Sequence, residues 1–222
     1  MTGMSSSRLA LLWLPYVLVS LIHVVAVAVE SPLAPPTKLL LMPLLAVPVL
    51  AAAGRLSSTL TMLLLAALTL SWIGDGAGVV LSGDAVLPVM LGAFGLAHLA
   101  YIAAFTRQLS IHGFPRWAWV YAAWWIAMVA VIGPHAGALL IPVLLYGIVL
   151  AGTAATSTRC VTLIAAGGAF FLTSDSLLGI RLFLPDVAPG WFSPAVMATY
   201  TLGQGLIIAG AVRATQRVRV AT

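Results

Sequence analysis

Two aspartates sit in stretches that otherwise avoid water: Asp75 in SWIGDGAGVV and Asp175 in FFLTSDSLLGIRLF. An ionisable group at bilayer depth costs about 2.5 to 3.5 kcal/mol on insertion scales, so such residues face the interior of a bundle and are functional candidates by default. Two carboxyl groups together permit acid/base chemistry, one giving a proton while the other accepts one. The remaining costly polar groups are few: His98 in FGLAHLAYIAAF, His23 in VSLIHVVAV, and Lys38 at the mouth of PTKLLLMPL. His98 and Tyr101 stand at i, i+3, and Tyr200 and Gln204 at i, i+4, so each pair shares one face of a helix. Gly74, Gly76 and Gly78 flank Asp75 with little bulk, which lets another helix or a ligand come close. Ser174 and Ser176 offer hydroxyls to Asp175 or to a partner.

Simpler readings stand beside these. A lone membrane histidine is commonly a hydrogen-bonded packing group, which fits His23 better than His98. Lys38 and Arg181 are long enough to snorkel to the interface. Tyr146, in PVLLYGIVL, suits core packing as well as a site. The four histidines, His23, His98, His112 and His135, show no metal-ligand spacing, and His112 and His135 fall in loops on opposite sides. Neither a metal nor another cofactor is expected. Cys160 is the single cysteine, which excludes an intrachain disulfide and a thiolate cluster.

What must position these groups is a membrane bundle. Of 222 residues, 62% are hydrophobic and 7% are charged, and the mean hydropathy is +1.14. Apolar runs long enough to cross a hydrocarbon core of roughly 30 Å recur along the chain. Read between polar and Gly/Pro punctuation, they give eight spans at about 9–29, 38–54, 58–81, 85–105, 117–133, 136–156, 160–184 and 192–213. The expectation is an all-α polytopic integral membrane protein, one transmembrane domain over residues 1–222. The first run exceeds a signal-peptide core and reads as a retained helix. Pro15, Pro43, Pro48, Pro88 and Pro142 lie in or at the ends of spans, where neighbouring helices can satisfy the freed carbonyls.

Charge supports the count. Numbered in order, the spans leave Arg8, Arg55, Arg107, Arg116, Arg159, Arg213, Arg217 and Arg219 on one side, eight of the ten cations. The other side receives Glu30, Asp84 and Asp186, with Lys38 and Arg181. Cytoplasmic loops carry the excess of Lys and Arg, so both termini are expected in the cytoplasm. The same asymmetry accounts for the net charge of +5 without nucleic acid, for which no clustered basic face exists. Trp117 and Trp119 at one edge and Trp191 at the other fit interfacial belts. The Ala, Gly and Val content points to a bacterial cytoplasmic membrane.

At 1.5 Å per residue, Asp75 lies roughly 9 Å and Asp175 roughly 13 Å from the outer ends of their spans. Tyr200 falls at about 12 Å, Gln204 at about 18 Å and His98 at about 20 Å by the same rise. Related depths predict one cavity open toward the non-cytoplasmic leaflet or the midplane. Asp75 on span three and Asp175 on span seven, each followed by a span with polar groups, also point to two parallel four-helix halves.

In order, TKLLLMPLL, SWIGDGAGVV, LGAFGLAHLAYIAAF, PVLLYGIVL, FFLTSDSLLGI and YTLGQ resemble the YhhN family of membrane proteins. That family includes the mammalian transmembrane protein 86 enzymes, known as lysoplasmalogenases. The matching residues are Lys38, Asp75, His98, Tyr101, Tyr146, Asp175, Tyr200 and Gln204. Two departures are Leu39, where the family usually has proline, and Gly203, where it usually has alanine. The resemblance implies metal-independent hydrolysis of the vinyl ether of a lysophospholipid drawn from the bilayer, giving a fatty aldehyde and glycerophosphoethanolamine or glycerophosphocholine. Asp75 and Asp175 would be the catalytic pair. His98, Tyr101, Tyr146, Tyr200 and Gln204 would line the substrate site, and Lys38 would meet the phosphate. The physics alone accommodates a proton-coupled transporter or lipid flippase about as well as an enzyme, and a related intramembrane hydrolase of another lysolipid or ether lipid is a third reading.

Overall fold

The computed structural model describes the backbone of residues 6–220 and the side chains of residues 11–214. Eight helices follow one another: α1 (Ser6–Ala28), α2 (Ala34–Ala52), α3 (Ser58–Val80), α4 (Val86–Ala104), α5 (Val120–Ile132), α6 (Leu140–Ser157), α7 (Thr162–Phe183) and α8 (Phe192–Val220). Each described segment is long and apolar enough to cross a membrane. The protein is thus an all-α polytopic bundle. The side chains of Arg8, Arg217 and Arg219 lie outside the described residues.

The boundaries differ from the sequence reading mainly where proline or an unusual turn intervenes. α2 begins at Ala34 rather than at Lys38 because Pro35 and Pro36 occupy its first turn, where the missing N–H costs nothing. Lys38 is therefore set one turn inside the helix. α4 continues into a π-turn at Phe105–Leu109. At the start of α3, the Ser57 side chain caps the first turn by accepting from Leu60 N at 3.1 Å. Its hydroxyl donates to Gln108 Oε1 at 2.9 Å and so ties that turn to the end of α4.

The closest pairings are α7 with α8 and α3 with α4; α6 bridges α4 and α7, and α1 flanks α2 and α8. α5 packs mainly on α6 and touches α7 only lightly. A Cβ on Gly203 would lie 2.9 Å from Phe171 N, and one on Gly167 would lie 2.8 Å from Gly203 O. α7 and α8 therefore approach backbone to backbone, as small residues allow in membrane helices. The departure from alanine at position 203 has this steric consequence. At one end of the bundle, Ile111 N and His112 N both donate to Arg159 O, at 2.8 and 3.1 Å, which fastens the α4–α5 and α6–α7 connections together.

Candidate active site

The site begins with a backbone defect. Pro43 has no N–H, so the carbonyl four residues earlier, that of Leu39, loses its helical partner. Trp72 Nε1 of α3 donates to that carbonyl at 2.8 Å. This bond fixes the register of α2 against α3 one residue from Lys38 and three from Asp75. Lys38 Nζ accordingly comes within 3.4 Å of Asp75 Oδ1, with side-chain exposures of 21% and 2%. Lys38 was expected at the substrate phosphate; the structure places it on a buried carboxylate.

The second partner of Asp75 comes from α8. Tyr200 donates its hydroxyl to Asp75 Oδ2 at 2.8 Å. Its ring is held edge-on by Phe94 and Phe171, with centroids 6.0 and 5.5 Å away. Phe94 can lie there because Gly74 has no side chain; a Cβ at that position would come within 2.6 Å of the ring. The glycine beside the aspartate serves packing of the aromatic wall.

Asp175 has a different shell. Tyr146 of α6 donates its hydroxyl to Asp175 Oδ2. His98 Nε2 of α4 lies 3.3 Å from the same hydroxyl and 3.7 Å from the carboxylate oxygen. On its far side, His98 Nδ1 is 3.1 Å from Thr153 Oγ1. Thr153 spends its own proton on Val149 O at 2.9 Å. Nδ1 therefore carries a hydrogen toward Thr153, and Nε2 is the nitrogen that faces Tyr146. The stacking of His98 on Phe171, centroids 4.6 Å apart, fixes the ring plane. Ser174 and Ser176 do not bond Asp175: Ser174 donates to Val196 O at 2.9 Å, and Ser176 donates to Leu172 O at 2.7 Å while accepting from Trp124 Nε1 at 3.0 Å.

Both carboxylates line one cavity of about 600 Å3 that is reached from every helix of the bundle. Lys38, Tyr146 and Tyr200 line it too. His98, Tyr101 and Gln204 are absent from the lining and stand behind it. Tyr101 donates to Gln204 Oε1 at 2.5 Å and Gln204 Nε2 donates to Ser71 Oγ at 3.1 Å, a closed network joining α4, α8 and α3. Its members are fully buried, and Gln204 also bonds the side chain of Tyr200, which does line the cavity. The walls are apolar, with Leu91, Phe94, Trp124, Trp125, Met128 and Met197 among them.

Three titratable lining residues fall outside the site set that the sequence suggests: His23, Glu30 and Arg181. His23 is 1% exposed and its Nδ1 sits 2.9 Å from Thr37 Oγ1. Arg181 and Glu30 occupy the lip near the α7–α8 and α1–α2 connections. The sequence signal for Arg181 was its spacing from Ser174 and Leu178, which follow one face of α7 into the same cavity. Cys160 contributes no nucleophile to this site: it sits between α6 and α7, and burial pushes its thiol up to about 12. Among the described residues, no three His, Cys, Asp or Glu side chains converge as metal ligands would.

No curated protein and no solved structure matches the chain. The model of the YhhN family matches residues 33–211, from the foot of α2 to the last described turns of α8 and including every residue of both carboxylate shells, and the chain is a member of that family.

Proposed function

We propose that the protein is an intramembrane hydrolase of lysoplasmalogen type, which adds water across the vinyl ether of a single-chain glycerophospholipid. The observation that carries this reading is the convergence of Asp75 and Asp175 on one apolar-walled cavity. A vinyl ether hydrolyses when an acid protonates its β-carbon, leaving an oxocarbenium ion. Water adds to that ion and loses a proton to a base, and the resulting hemiacetal collapses to aldehyde and alcohol. The charge that develops resembles that of glycoside hydrolysis, where two carboxyl groups divide the work in the same way.

The difference between the two shells supports a division of roles. Asp75 is held in an ion pair by Lys38 and is the carboxylate that stabilises the oxocarbenium ion and takes the proton from water. Among the described residues, Asp175 has no lysine or arginine against it, and it is the acid in this reading. Its shell accommodates loss of the proton: with Asp175 protonated, it donates to Tyr146 and Tyr146 donates to His98 Nε2; once the proton is on the substrate, Tyr146 donates to the Asp175 carboxylate instead. The proton that water gives to Asp75 is the one that returns to Asp175 before the next turnover. The same heavy-atom positions satisfy both states. The apolar walls accommodate the alkenyl chain. The cavity is taken to open toward the non-cytoplasmic side of a bacterial cytoplasmic membrane, with both termini inside.

A transporter reading has one observation in its favour. On α8 the polar residues continue inward from Tyr200 to Gln204, as a proton path through the bundle would need. The two readings separate in one assay: purified protein in proteoliposomes receives a lysoplasmalogen, and fatty aldehyde is measured. Aldehyde release that is lost in both Asp75→Asn and Asp175→Asn supports the hydrolase. Intact lysolipid that changes leaflet supports the transporter, and aldehyde release from a different ether lipid alone moves the substrate assignment.

A further inference from the structure

Five charged side chains line the cavity: Glu30, Lys38, Asp75, Asp175 and Arg181. Lys38 and Asp75 satisfy each other, and Asp175 is engaged by Tyr146 and His98. Glu30 and Arg181 are left over. Both are exposed at the lip, and among the described residues neither side chain has a hydrogen bond or an ion pair. They face a common space without pairing with one another.

Glu30 is also held in a conformation its residue type resists. Glu30 N donates to Val27 O at 3.3 Å and Ser31 N to Ala26 O at 2.8 Å, the paired bonds of a Schellman close to α1. The residue at its turning point takes φ of +53°, and among the described residues it is the only non-glycine with positive φ. Glycine or asparagine is the usual occupant, because a Cβ is disfavoured there. A glutamate in that place, with its carboxylate on the cavity lip, indicates that the side chain is used.

We infer that Glu30 and Arg181 form a subsite for a zwitterionic phosphodiester headgroup, Arg181 taking the phosphate and Glu30 the ammonium group. The inference rests on the hydrolase reading and specifies its substrate. The guanidinium fork matches two phosphate oxygens. Arg181 is six residues beyond Asp175 on α7, about 9 Å along the axis. A glycerol unit and one phosphoester oxygen separate the vinyl ether from phosphorus, so a substrate with its vinyl ether at Asp175 carries its phosphate toward Arg181. Lys38, consumed by Asp75, is released from the phosphate role.

The test is binding of saturated 1-alkyl lysolipids, which have no vinyl ether and are not turned over, followed by the fluorescence of the cavity tryptophans Trp124 and Trp125. The wild-type protein should bind the phosphoethanolamine and phosphocholine forms roughly tenfold more tightly than the amine-free phosphate monoester. Arg181→Gln should weaken all three about tenfold, with partial recovery in Arg181→Lys. Glu30→Gln should abolish the difference between headgroups. Glu30→Gly should abolish it too while raising the melting temperature, which a purely structural role for Glu30 would not produce. An unchanged headgroup ratio in Glu30→Gln, or unchanged affinity in Arg181→Gln, overturns the subsite. Equal affinity for glycerophosphoethanolamine, which has no chain, overturns its assignment to a lipid. Because these ligands are inert, headgroup selection without aldehyde release from lysoplasmalogen would remove the hydrolase reading and keep the subsite.

Discussion

The two carboxylates of this bundle share a cavity and little else. Asp75 has its charge partner: Lys38 stands 3.4 Å from one oxygen and the Tyr200 hydroxyl 2.8 Å from the other. Asp175 is met by Tyr146, and behind that hydroxyl stands a histidine rather than a lysine. A fixed ammonium holds a carboxylate in one state, whereas a chain of hydroxyl and imidazole lets a proton come and go without moving a heavy atom. On the proposed reading, the same residue type would serve as a standing charge on α3 and as a proton donor on α7. What differs is the helix that faces each one.

The largest test of that difference is removal of the donor. Asp175→Asn should lower kcat by about a thousandfold in the aldehyde assay, within the range for loss of an acid catalyst. Normal turnover in that variant would leave α7 with no chemical role. Tyr146→Phe cuts the link between Asp175 and His98 and should lower kcat about a hundredfold with little change in KM. The equivalent change in the other shell, Tyr200→Phe, leaves Asp75 its lysine and should cost only about tenfold. If the Tyr200 variant suffers the greater loss, the roles of the two aspartates are reversed.

Lys38→Met probes the standing charge. With Lys38 on Asp75, kcat should fall about tenfold while KM for lysolipid stays near the wild-type value. A rise in KM at constant kcat would return Lys38 to the phosphate. The smallest effect belongs to the scaffold. Trp72→Phe leaves the Leu39 carbonyl without a donor and should destabilise the protein by about 1 kcal/mol, read as a lowered midpoint of thermal unfolding in detergent. Any activity it costs should be smallest where Lys38 has already been replaced, since both changes act on the same pair.

Much of this molecule was legible in the chain. Uninterrupted apolar runs of this length, without the alternation of a barrel strand, point to helices, which satisfy their own backbone where lipid supplies no hydrogen bonds. The spans at 58–81 and 160–184 fell within a residue or two of the helices found. At α2 the apolar run places Lys38 at the edge of a span, whereas Pro35 and Pro36 have already begun the helix. Asp75 and Asp175 stood out for the same reason: a carboxylate in an apolar run has a solvation cost that local sequence alone reveals.

The partners of those carboxylates were not legible, because pairing depends on which helix faces which and at what register. Lys38 meets Asp75 at a register in which Trp72 also meets the carbonyl freed by Pro43. His98 and Tyr101 share a face by spacing, yet one stands behind Asp175 while the other closes on Gln204. Arg181 and Glu30 looked like ordinary surface charges, and only the fold sets them on one lip. Hydropathy and charge, which are properties of single residues summed along the chain, determined the helices, their number and the two chemically costly positions. Distances between residues far apart in sequence decided which carboxylate meets a lysine and which meets a tyrosine backed by a histidine.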